Sequence, residues 1–87
     1  MSAFDLKIAS PDGSVFEGKT VMLSVRGADG DLAVLAGHIP FITTVQPCDC
    51  KLLLDDGNEK KGHTDGGLLS VSENKAVLLS SSFKWSK

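Results

Sequence analysis

Phe4-Asp5-Leu6-Lys7-Ile8-Ala9-Ser10-Pro11-Asp12-Gly13-Ser14-Val15-Phe16-Glu17 sets the pattern for the whole chain. Apolar Phe4, Leu6 and Ile8 alternate with charged Asp5 and Lys7, the period of two that puts one set of side chains on a core and the other in water. Ser10-Pro11-Asp12-Gly13 then ends the run, because proline presets φ for a turn and glycine accepts a positive φ. The polypeptide is expected to return antiparallel through Val15-Phe16-Glu17.

The same grammar repeats downstream. Gly18-Lys19 interrupts, after which Val21, Leu23 and Val25 share one face while Met22, Ser24 and Arg26 share the other, predicting a third strand. Gly27-Ala28-Asp29-Gly30-Asp31 is a turn-rich loop before a short strand over 32–35. Ala36-Gly37-His38-Ile39-Pro40 is a tight loop before a strand over 41–45. Pro47 should break the ladder or sit at its edge. Segments 48–54 and 59–63 flank Asp55-Asp56-Gly57-Asn58, a strong hairpin signal. A last hairpin pairs 68–71 with 76–79 across Ser72-Glu73-Asn74-Lys75. No stretch keeps apolar residues at helical spacing for three turns. The expectation is an all-β chain of about 8–10 short, mostly antiparallel strands, folded as a two-sheet β-sandwich or flattened barrel.

The size of the chain limits what this fold can hold. With 87 residues, 41% of them hydrophobic and 23% charged, there is one core and no room for a second. The sandwich is expected over residues 1–80, with 81–87 a short tail whose Phe83 and Trp85 find no strand partner. Trp85 is expected to dock on the sandwich, the other reading being an anchor for a second protein. Nine Lys and Arg against eleven Asp and Glu give a net charge of -2 with no basic stripe, which argues against nucleic-acid binding. No basic segment followed by an apolar stretch opens the sequence, and no run of about 18 apolar residues occurs, so neither a signal peptide nor a membrane span is expected. Cys48 and Cys50 lie two apart, where an intra-strand bridge would be strained, and are expected as reduced thiols.

The candidates for chemistry are few. His38 and His63 are the only histidines. A small hydrolase built on His38 would need an activated nucleophile and an orienting acid, and no nucleophile-elbow motif is present. The bland reading of His38 is a loop residue hydrogen-bonded to nearby backbone, and of His63 an ordinary strand-end residue. Cys48, Cys50 and the two histidines reach the ligand count of a structural zinc, but one residue between the cysteines does not make a zinc knuckle. Asp29-Gly30-Asp31 lacks the later oxygen ligands of a calcium loop. Gly66-Gly67 is followed by no helix that could receive a phosphate, so a bulge or a close backbone crossing is the better account. No catalytic residue, metal or cofactor is expected. A carbohydrate-binding module remains as an alternative, although it would need surface aromatics to stack on sugars, and the chain has no tyrosine and one tryptophan.

Longer motifs carry a resemblance. Ser10-Pro11-Asp12-Gly13, Phe16-Glu17-Gly18, Gly30-Asp31-Leu32-Ala33-Val34-Leu35-Ala36-Gly37-His38-Ile39-Pro40 and Asp65-Gly66-Gly67-Leu68-Leu69-Ser70-Val71 occur in this order. The sequence thereby resembles the N-terminal β-sandwich of the F-type ATP synthase epsilon subunit, over residues 4–79. It departs from the usual family pattern at Ala36 (commonly Pro), Ala33 (often Gly), Ser70 (commonly Glu) and Cys48 (commonly Gly). Family members usually continue into a C-terminal helical hairpin that restrains ATP hydrolysis and in some members binds ATP. The sequence ends at Lys87, so the resemblance is to a short form from which strong ATP binding is not expected.

The resemblance implies a central-stalk rotor subunit, bound to the gamma subunit and resting on the ring of c subunits, that couples proton flow to ATP synthesis without catalytic residues of its own. It implies a peripheral position on the cytoplasmic, stromal or matrix-equivalent face of the energy-coupling membrane, without insertion into it. By motif, Ser10, His38, Ile39, Pro40, Ile42 and Thr43 are implied on the gamma-facing side. Asp29 and Asp31 are implied toward the c ring. If Phe41 fills the core, Ile42 is left outside, because neighbours in a strand point to opposite faces.

Overall fold

A computed structural model describes residues 3–37 and 40–86. Its organising element is one long strand, β2 (Gly13–Gly27), which follows β1 (Phe4–Ser10). Then come β3 (Gly30–Leu35), β4 (Phe41–Val45), β5 (Cys48–Leu54), β6 (Glu59–Thr64), β7 (Gly67–Val71), β8 (Lys75–Ser80) and β9 (Phe83–Trp85). The first half of β2 pairs antiparallel with β1, as the opening turn requires. Its second half pairs with β3 on one edge and β5 on the other. β2 therefore belongs to two layers: β1, β8, β7 and β4 extend one, and β3, β5, β6 and β9 the other. Among the described residues only β1 and β8 run parallel; the other pairings are antiparallel.

The expected interruption at Gly18-Lys19 is not there. The strand continues and bends two residues later, where the register with β5 shifts between Thr20 and Met22. Thr20 and Val21 are both buried, which a regular alternation forbids and a bulge permits. The buried Thr20 hydroxyl stays satisfied, 2.8 Å from the carbonyl of Leu53 and 3.2 Å from that of Met22. Gly18 instead lies under the Phe16 ring, whose Cζ is 3.3 Å from where a Cβ would stand.

Between the layers lies one cluster built from alternate positions of the strands: Phe4, Leu6 and Ile8; Leu23 and Val25; Val34; Val45; Cys50 and Leu52; Leu69 and Val71; Ala76 and Leu78. The Asp55–Asn58 turn closes the β5–β6 hairpin as its sequence predicts, with Leu54 N–H donating to Asn58 O at 2.8 Å and Gly57 at φ 89°. Gly67 marks a close backbone crossing: a Cβ there would stand 1.9 Å from the carbonyl oxygen of Leu79.

The tail differs from expectation in one respect. Residues 83–85 do find a strand partner, since β9 pairs antiparallel with β6, Gly62 opposite Trp85 and Thr64 opposite Phe83. Gly62 makes this possible, because a side chain there would collide with the Phe83 ring at 2.6 Å. Trp85 docks on the sandwich as expected, edge-on to Phe83 with ring centroids 4.9 Å apart and to Phe16 at 6.1 Å. Lys60 Nζ lies 4.6 Å from the Trp85 ring centroid, a cation–π contact.

Candidate interaction surface

The register of four strands fixes what the outer face of the first layer displays. Ile42 stands opposite Ser70, Ser70 opposite Val77, and Val77 opposite Lys7. In the next row Thr44, Leu68, Leu79 and Ala9 stand side by side. Three large apolar side chains here face water: Ile42 is 68% exposed, Leu79 53% and Leu68 40%. Scattered apolar residues are normal on a surface, but apolar residues on adjacent strands of one face form a contiguous patch suited to a partner.

The residues singled out by sequence fall around this patch in different ways. His38 and Ile39 lie outside the described residues. Pro40 is exposed just before β4. Ile42 is on the patch, and Phe41 packs on its other side against the core, as the alternation predicts. Thr43 points away from Ile42: its Oγ1 donates to Thr44 O at 3.1 Å and lies 3.5 Å from the Ala28 N–H. Ser10 sits next to Ala9 at the end of β1, and its Oγ accepts from Asp12 N–H at 3.3 Å. Leu68 and Leu79 were missed in the sequence, although the alternation of the last hairpin, with Leu69 and Leu78 inside, places both outside.

Asp29 and Asp31 occupy the β2–β3 turn and the start of β3. Asp31 is not a free charge. Arg26 Nε donates to its Oδ1 at 3.0 Å, and this hydrogen bond, with the charge of Asp31, raises the Arg26 pKa further. Both ends of that pair are exposed, so it contributes little to stability. A shallow depression of about 330 Å³ is lined by 28–32 together with Phe41, Ile42 and Thr43, so the two groups of residues singled out by sequence adjoin one another.

A second concavity lies elsewhere, an open groove of about 790 Å³ lined by residues that include Ser24, Arg26, Asp31, Ala33, Cys48, Asp49 and His63. It brings together a thiol, a histidine and carboxylates, yet their pairing does not make a nucleophilic triad. His63 Nδ1 is 3.0 Å from Asp49 Oδ1 and Nε2 is 3.5 Å from Asp65 Oδ1, so both ring nitrogens face carboxylates and neither is left to activate a thiol. The Asp49–His63 pair is readable from the hairpin turn, whose register sets those two residues opposite each other. Cys48 Sγ accepts the Arg26 backbone N–H at 3.3 Å. Cys50 is fully buried, and burial, reinforced by Cys48, pushes its pKa up to about 12, so it is held as a neutral thiol. Both cysteines are free. Among the described residues, no group of three or more His, Cys, Asp and Glu is arranged to hold a metal ion.

The described residues thus present a contiguous apolar face with an acidic turn beside it. Comparison with known proteins gives the chain's family. The sequence model of the ATP synthase delta/epsilon chain β-sandwich domain matches residues 3–86, and the chain belongs to that family. It is thus the sandwich domain of an ATP synthase subunit. Its fold is shared with a chain in the cryo-EM structure of the Euglena gracilis mitochondrial ATP synthase (OSCP, F1 and c-ring, rotational state 1), at a TM-score of 0.91 and 16% identity over 98% of the present chain. A chain in the Tetrahymena thermophila mitochondrial ATP synthase central stalk and c-ring matches with a TM-score of 0.74 and 10% identity over 91%. The present chain spans 54% and 63% of the length of those two chains.

Proposed function

We propose that this domain is a non-catalytic rotor component of a proton-translocating F-type ATP synthase, held in the central stalk by the gamma subunit and in contact with the c ring. The observation that carries this reading is the apolar face made by Ile42, Leu68 and Leu79 on a sandwich of this family. Such a face gains from a permanent partner, and a domain of this size gains stability from one by mass action. The solved relatives come from assemblies described as central stalk and c-ring, or F1 and c-ring, which supports the same placement.

In this reading Ile42 and Pro40, with His38 and Ile39 just before them in the sequence, meet gamma, and Ser10 borders the contact. Thr43 lies at its margin, between the apolar face and the β2–β3 turn. Asp29 faces the polar loops of the c ring, with Asp31 contributing through its pair with Arg26. The position is peripheral, on the side of the membrane where ATP is made. Torque transfer asks for a body that deforms little, and β2 running through both layers supplies a rigid connection between the two contact regions. The test is direct: titration of the chain with a purified gamma subunit should give a saturable one-to-one complex. Absence of binding would overturn the reading.

A further inference from the structure

β3 is the least protected edge of the sheet. Among the described residues it pairs with β2 alone, and no other strand pairs along its second side. Which backbone groups point outward follows from β2. Arg26 directs its backbone away from β3: its N–H meets Cys48 Sγ and its C=O accepts from Gln46 N–H at 2.9 Å. In an antiparallel ladder the bonding alternates, so Gly27, Val25 and Leu23 are the β2 residues that bond β3, through Gly30, Leu32 and Val34. The N–H and C=O groups of Asp31, Ala33 and Leu35 are then left at the free edge, and all three residues are exposed.

Natural edge strands are usually blunted by lysine, proline, a bulge or short length. β3 has none of these: it is six residues long, Gly-Asp-Leu-Ala-Val-Leu, with a regular register and one charge already paired to Arg26. The edge at β9, by contrast, is three residues long and carries Lys84. The β3 edge also lies where a partner is proposed. It starts at the Asp29–Asp31 turn, whose depression reaches Ile42, and ends at the exposed Leu35.

We propose that β3 accepts an extended strand of the gamma subunit, which pairs with the backbone of Asp31, Ala33 and Leu35 while the side chains of Asp29 and Asp31 stay turned to the c ring and to Arg26. Strand addition gives affinity through main-chain hydrogen bonds and register through the alternate side chains. The inference rests on the gamma-binding reading above and specifies how part of that contact is made.

Ala33→Pro provides the test, because the N–H it removes faces outward and proline is tolerated on such an edge, so the β2–β3 ladder survives. Purified gamma subunit is the probe, with Ala33→Ser as the variant that keeps the N–H. Ala33→Pro should weaken gamma binding roughly tenfold or more by leaving a partner carbonyl unpaired, while Ala33→Ser binds as the unaltered chain does. Independently of any variant, hydrogen exchange at the amides of Asp31, Ala33 and Leu35 should be fast in the free chain and slow by roughly tenfold or more in the complex. If Ala33→Pro does not fold, the exchange measurement decides. Gamma binding with these three amides unprotected, or with Ala33→Pro at full affinity, overturns strand addition and leaves the gamma reading standing. Protection in the free chain that grows with its own concentration assigns the edge to a second copy and overturns it too. Failure of gamma to bind at all removes both.

Discussion

Ile42 offers the sharpest measurement of the proposed contact. Burying an isoleucine side chain completely contributes about 1.5–3 kcal/mol. Ile42 is 68% exposed in the free domain, so about 1–2 kcal/mol of that remains to be gained in a complex. Ile42→Ala should therefore raise the gamma dissociation constant about 5- to 30-fold, at 1.4 kcal/mol per factor of ten. Ile42→Asp adds the cost of an unpaired carboxylate in a dry contact and should reach roughly 100-fold or more. Neither change should move the stability of the isolated domain by more than about 0.5 kcal/mol, since the side chain faces water. Phe41→Asp is the contrast. Its ring packs against the core, and losing it while burying a charge should cost about 3 kcal/mol or more. Calorimetric titration with gamma gives the affinities, and urea unfolding followed by Trp85 fluorescence gives the stabilities. Unchanged affinity in Ile42→Asp, with Leu79→Ala also binding normally, would refute the assignment of this face.

Gly67→Ala should destabilise the domain by about 2–3 kcal/mol, because its Cβ meets the Leu79 backbone rather than a side chain that can turn aside; a melting temperature within about 2 °C of the unaltered chain would count against the crossing. Native thiol titration should find Cys50 unreactive and denaturing titration should find two free thiols without zinc; stoichiometric zinc would reverse that assignment. The same thiol sets an alkaline limit: below its ordinary value of 9.0 both states hold the proton, whereas between pH 9 and about 12 the unfolded chain ionises and the fold does not, so stability falls across that window in urea titrations. Cys50→Ala should remove this part of the alkaline decline. Trp85→Ala should lower stability by about 1–3 kcal/mol through loss of the Phe16 and Phe83 contacts, read from the urea midpoint by circular dichroism; no shift would show the tail to be idle.

The strands were legible where side-chain alternation and turn chemistry agree. Residues 41–45 and 48–54 are strands as read from the sequence, because Pro47 separates them and Asp55–Asn58 closes the hairpin. What the sequence obscured was produced by contacts between distant residues. Gly18 looks like a breaker, yet Phe16 covers it and the strand bends at Thr20, where a hydroxyl reaches the Leu53 carbonyl. Phe83 and Trp85 looked stranded because their partner is Gly62, and only the packed structure shows that the missing side chain makes room for a ring. The surface followed the same rule. Ile42 was readable from its neighbour Phe41, whereas grouping it with Thr43 ignored the alternation that sends Thr43 to the other face.

Two kinds of free surface meet near the β3–β4 end of the molecule, and they differ in what they ask of a partner. The Ile42, Leu68 and Leu79 face offers apolar side chains, which give affinity but little orientation, because burial is non-directional. The β3 edge offers main-chain donors and acceptors, which admit one register at a time. A partner using the face alone would be held but free to settle at neighbouring angles, and one using the edge alone would be registered but would leave the apolar face in water. In the proposed rotor role, in which the domain turns with its partner under load, angular register matters as much as affinity. The combination therefore predicts that Ala33→Pro loosens orientation as well as affinity, whereas Ile42→Ala lowers affinity and leaves the orientation of the bound pair unchanged.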